Sequence, residues 1–171
     1  MTERCPPWPA CFDCRFGAGF PCRHRDGSLR LDRLVDALLA LAREEVGSPR
    51  HDVNFWAFDC MDTLVADEPE LGFRVILFAL PLFRTDREIG WLAAGPLENL
   101  VDAHGARMIE EVEREAAASA RFRYLLSGIW GGPPYNDEAV WRRIQAAVRP
   151  GPWLDEDPRT PQGSDRARPP R

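Results

Sequence analysis

Lysine is absent from this chain: all 22 basic side chains are arginine. Without it, neither a Schiff-base nucleophile nor a Walker-type phosphate loop can be built. Histidine is scarce, limited to His24, His51 and His104. No Gly-x-Ser-x-Gly elbow, His-x-x-x-His pair or glycine-rich phosphate loop occurs. The most apolar run, Leu71 to Phe83, carries Arg74 and Pro81 and is too short to span a bilayer, so no membrane association is expected. Met1 to Ala10 lacks the apolar core of a secretory signal, which makes a cytoplasmic location the expectation. A net charge of −5 argues against a general nucleic-acid binder, which needs a basic stripe. No segment alternates as a strand does.

What is present fits one globular domain with flanking segments. The chain has 171 residues, 44% hydrophobic and 29% charged, enough for a single core. Residues 1–27 form an irregular leader rich in Cys, Pro, Gly and Arg. Residues 28–149 carry helical periodicity, and residues 150–171 are Pro/Arg-rich and read as a disordered tail from which Trp153 can dock back.

Within the central domain, Ser28 offers an N-cap, and Leu31, Leu34, Val35, Leu38 and Leu41 follow at helical spacing to about Val46, before Gly47 and Pro49. Asp52 is placed to cap a second helix that buries Val53, Trp56, Cys60 and Leu64. Pro69 starts a third, with Leu71, Val75, Phe78 and Leu82 on one stripe and Phe73, Ile76, Leu77 and Leu80 beside it. That helix is the expected centre of the core, with Pro81 kinking or ending it. Thr85 and Glu88 match a capping box for a helix beginning at Asp86. Gly95 is expected to end that helix with a positive φ, Pro96 and Glu98 to open the next, and Gly105 to stop it. Met108, Ile109, Val112 and Ala116 then point inward, with Arg107/Glu111 and Glu110/Arg114 pairs outside. Ser119 caps a helix bearing Phe122, Leu125, Leu126 and Ile129, and Asn136 caps a last one bearing Val140, Trp141, Ile144 and Val148. About seven short helices joined by tight turns predict an all-α fold, with antiparallel hairpins stacked solenoid-like in a HEAT-like manner. A compact irregular bundle is the alternative.

Chemistry is concentrated in two places. Cys5, Cys11, Cys14, Cys22 and His24 put a Cys-x-x-Cys pair near a Cys-x-His pair, and four of these five can complete a tetrahedral structural zinc site. The competing reading is a leader whose cysteines bind nothing. The second place is a polar set: Asp59, Asp62, Arg74, Glu98 and His104. Asp59 and Asp62 share a helix face. An antiparallel turn at Asp67–Pro69 brings Asp62 opposite Arg74 as a partly buried ion pair fixing the hairpin register. His104, in the last turn of its helix, is read as bonding free carbonyls rather than as a base, so no catalytic residue is assigned. Trp91 lies at the other arm of the same corner. Cys60, on a core stripe, reads as a small buried hydrophobe.

The string Trp91-Leu-Ala-Ala-Gly-Pro-Leu-Glu98, the His104-Gly105 ending and Arg121-Phe-Arg-x-Leu-Leu126 resemble an uncharacterised bacterial family, a domain of unknown function, over about Phe55 to Ile144. The resemblance implies an α-helical fold and brings no activity. Two functions are expected from the residues. One is a non-catalytic interaction protein, an adaptor or immunity-type module whose partner is another protein. The other is a zinc-containing enzyme or nucleic-acid-associated factor using the leader and the polar set. The zinc expectation has a direct measurement. Protein purified anaerobically should carry stoichiometric zinc by elemental analysis, and Cys11→Ser with Cys14→Ser should remove it; a metal-free wild type would overturn the assignment.

Overall fold

The computed structural model describes residues 29–130, 137–149 and 151–154. The leader cysteines, Ser28, Asn136 and most of the tail lie outside these residues. Among the described residues eight α-helices follow one another: α1 (Leu31–Arg43), α2 (Pro49–Asn54), α3 (Trp56–Asp67), α4 (Pro69–Ala79), α5 (Asp86–Leu92), α6 (Glu98–Ala118), α7 (Ala120–Leu126) and α8 (Glu138–Ala147). A π-helical turn, Ala93–Leu97, joins α5 to α6. No strand element is present among the described residues, so the all-α expectation holds.

Local chemistry sets most helix starts. Ser48 accepts from the His51 amide and Pro49 fills the first position of α2. Pro69 opens α4, Ser119 accepts from the Phe122 amide at α7, and Asp137, next to the expected Asn136, caps α8. The stretch expected as one helix from Asp52 is two, because Phe55 interrupts it. That break resets the phase, and Val53, expected in the core, is exposed. Helix α1 closes at Arg43, short of Val46, because Glu44 is extended.

The expected corner at Gly95 is absent. Gly95 has no positive φ, and the chain stays helical through the π turn with Pro96 inside it. Proline lacks the N–H that would bond four residues back and its ring crowds that carbonyl, and a wider i→i+5 turn relieves both. The stop expected at Gly105 is found as a kink one residue earlier, after which a second helical stretch follows. Backbone dihedrals depart from helical at His104 (φ −134°, ψ 17°), after which α6 continues to Ala118. Gly105 is needed there for space, since a Cβ would lie 2.9 Å from Val140 Cγ1 of α8.

Helix α6 packs on α3, α4, α7 and α8, while α1 packs on α2 to α5. Helix α4 supplies Phe73, Val75, Ile76 and Ala79 to the core, as expected of a central helix. Phe73 meets Phe122 of α7 edge to face at 5.6 Å, a favoured aromatic geometry. Phe78 and Leu82 of the expected stripe are instead exposed. The paired charges on α6 also differ. Arg107 reaches Glu70 of α4 at 2.6 Å and Arg114 pairs with Glu111 at 3.3 Å.

One charged residue among those described is buried: Glu88, 5% exposed. Its Oε2 accepts from the Thr85 amide (3.1 Å) and the Arg84 amide (2.5 Å), completing the capping box, and its Oε1 accepts from Arg43 Nε of α1 at 2.7 Å. Burial alone raises the Glu88 pKa, but the Arg43 hydrogen bond, the two amides and the Arg43 charge outweigh it and bring it down to about 2. A depressed pKa stabilises the fold fully above the unfolded-state value, and this is lost as pH falls from the ordinary carboxylate range toward 2. Glu88→Gln should therefore cost about 1–3 kcal/mol at pH 7. Urea titrations of both proteins should show that gap closing as the pH falls through this window; a pH-independent gap would refute the assignment.

Candidate interaction site

Helices α3 and α4 are antiparallel partners separated only by Glu68. Residues equally far from Glu68 therefore stand at equal heights, about 15 Å from the turn for a ten-residue separation. Phe58 and Phe78 come to one end of the hairpin by this rule, and Asp62 and Arg74 to its middle. Asp62 and Arg74 are both exposed, so the partly buried setting expected for them is not found.

Helix α6 crosses the turn end of the hairpin. Asn99 Nδ2 donates to Asp62 Oδ1 at 3.1 Å. His104 Nε2 lies 2.9 Å from the Ala66 carbonyl, in the last turn of α3. A carbonyl only accepts, so His104 must carry its proton on Nε2. The carbonyl-bonding role read for His104 is thus met, on a neighbouring helix rather than its own. Glu98 turns away from this seam and accepts from the Trp130 amide at 2.7 Å. Trp91, half-buried, stacks on Phe83 at 6.5 Å. Asp59 is half-buried on α3. The structure therefore gathers Asp62 and His104 along the α3–α6 seam and sends Glu98 and Trp91 elsewhere.

The opposite end of the hairpin is apolar and open. Val53 is 70% exposed, Phe55 44%, Phe58 36% and Phe78 50%. The Phe55 and Phe58 rings stack at 5.5 Å, and the His51 ring lies 5.7 Å from Phe55. Exposed aromatic side chains are enriched at protein interfaces. Sequence periodicity missed it because apolar residues on an almost wholly apolar helix all read as core. The exposed phase becomes visible only with the Phe55 break.

An open groove of about 440 Å³ lies between the C-terminal ends of α6 and α8, lined by Ala116, Ala146, Arg123, Arg143 and Arg149 among others. Arg143 and Arg123 already serve the fold. Arg143 makes a bidentate pair with Glu113 (2.8 and 2.5 Å), which holds the Glu113 carboxyl below the usual range. Arg123 Nη1 donates to the Ala116 carbonyl at 2.7 Å. Among the described residues no group of three or more His, Cys, Asp or Glu could hold a metal ion, and the five leader ligand candidates lie outside them. Cys60 is buried, as expected. No helix is long and apolar enough to cross a membrane among the described residues.

The described residues thus form an all-α domain with an α3–α6 seam bridged by the Asn99–Asp62 and His104–Ala66 hydrogen bonds and with exposed aromatic side chains at Phe55, Phe58 and Phe78. The chain belongs to DUF6869, a family of unknown function, whose model matches residues 44–151. No curated protein and no solved structure matches. The family match extends the resemblance expected over Phe55 to Ile144 at both ends.

The His104 bond predicts a stability effect. His104→Phe keeps a ring and removes the donor, and should cost about 1–2 kcal/mol by leaving the Ala66 carbonyl unmatched. Urea unfolding measures it; an unchanged midpoint would show that the bond is dispensable.

Proposed function

We propose that this chain is a cytosolic bacterial interaction protein, an adaptor or immunity-type module built of stacked helical hairpins. It docks a partner protein on the aromatic end of α2–α4. The observation that carries this reading is the exposure of Val53, Phe55, Phe58 and Phe78, with the Phe55 and Phe58 rings stacked in solvent. Aromatic side chains bring large contact area at low entropic cost, which is why they dominate binding hot spots. The hydrogen bonds of Asp62, Glu98 and His104 suit a positioning role, which favours this reading over an enzyme built on the polar set. The zinc-containing enzyme or nucleic-acid factor is kept as the second reading on account of Cys5, Cys11, Cys14, Cys22 and His24.

The test compares baits. Phe55→Ser with Phe58→Ser should leave the melting temperature within a few degrees, since both are surface changes. It should weaken capture of the wild-type partner from native lysate by at least about tenfold, the scale of a hot-spot loss. A control at Arg142, on the exposed face of α8, should capture as wild type does. Identical capture by all three would sink the assignment of this surface.

A further inference from the structure

The chain ahead of α1 joins the body beside the exposed Phe55 and Phe58 rings. Leu29 is buried. Arg33, in the first turn of α1, holds its guanidinium carbon 5.8 Å from the centroid of the Trp56 ring, at the start of α3. Trp56 directly follows Phe55, whose ring stacks on that of Phe58. The four residues from Leu29 to Arg33 span at most about 14 Å. Reach is therefore no obstacle for the segment before them. Phe20 has a tether of about 30 Å to Leu29, and Phe16 one of about 45 Å.

The two regions have matching deficits. The leader carries Trp8, Phe12, Phe16 and Phe20 at an unbroken four-residue interval. A segment this short cannot enclose four aromatic side chains in a core of its own, since chains below about 40 residues lack the volume for one. A zinc ion on Cys11, Cys14 and Cys22, which interleave with these rings, would tie the backbone but offer the rings no apolar surface. The body, for its part, leaves Val53, Phe55 and Phe58 exposed close to the point where the leader arrives. We propose that residues 8–20 dock their aromatic side chains on the Phe55–Phe58 end, so that the leader covers this surface in cis and controls access to it. The inference rests on the reading of that end as a docking surface and names its regulator. A covalently joined segment meets its site at an effective concentration on the order of millimolar. A contact too weak to hold a second copy of the chain is therefore strong enough to hold the leader.

The experiment uses the full-length chain with Phe58 replaced by the photoreactive p-benzoylphenylalanine, which keeps an aromatic ring and inserts on irradiation into C–H bonds it touches. Peptide mapping of the monomer band should place cross-links in residues 8–20. Phe12→Ser with Phe16→Ser and Phe20→Ser should lower that yield at least about tenfold, the scale of one lost aromatic anchor. The same photoreactive residue at Arg142, on the exposed face of α8, should give no cross-link to the leader. Cross-links lying only outside residues 8–20 would overturn the proposal. So would a covalent dimer in place of the cross-linked monomer, or a yield that the triple substitution leaves unchanged. Cross-linking without partner capture would strike the docking reading and keep the leader contact, whereas capture without cross-linking would strike the leader contact alone.

Discussion

The arrangement of this domain rests on the Glu88 carboxylate. A buried, unmatched carboxylate would be prohibitive, and here every face of it is used. One oxygen closes the first turn of α5 by accepting the Arg84 and Thr85 amides; the other takes Arg43 from α1. A local device for starting a helix is thereby also a long-range device for aiming it. The direction of α5 passes through the π turn to α6, on which α3, α4, α7 and α8 pack.

The second organising habit concerns helix ends. A left-handed glycine just past the C-cap is the usual way to satisfy terminal carbonyls, and the positive-φ glycines among the described residues, Gly47 and Gly151, lie further beyond their helix ends. Side chains from distant elements do it instead. Arg87 donates to the Glu44 carbonyl after α1, His104 lies on Ala66 in α3, Arg121 binds Leu80 and Phe83 after α4, and Arg123 binds Ala116 in α6. The arginines at these positions also oppose the negative ends of the helix dipoles. The planar fork of arginine can span two carbonyls, as Arg121 does. A chain without lysine is well supplied for this role.

Sequence chemistry was legible wherever the deciding partner was near in the chain. The Thr85–Glu88 box, Pro69 and Ser119 each name a helix start through groups within four residues, and each is observed. Tertiary consequences were not legible. Glu88 reads as half of a capping box, and nothing local announces Arg43, 45 residues away. Val53 and Phe78 read as core because periodicity reports that a helix has an apolar face, not which neighbour covers it. Gly128 reads as an interior position of the helix running from Phe122 to Ile129, while its space is claimed by a leucine 26 positions further on. The polar set was legible as residue types but not as roles, since Glu98 and Asn99, adjacent in sequence, point to different partners.

The π turn gives the Asp86–Ala118 rod a property that neither of its halves has. One residue more than an α-helical turn contains rotates everything beyond it by about 100° about the axis while scarcely changing its direction. The stripe that α5 offers to α1 is therefore not continued along α6, whose apolar side is turned toward α3, α4 and α8. The segment thereby serves neighbours on different sides of its axis even before the kink at His104, and Pro96 marks the place where its numbering, as a helix, begins again.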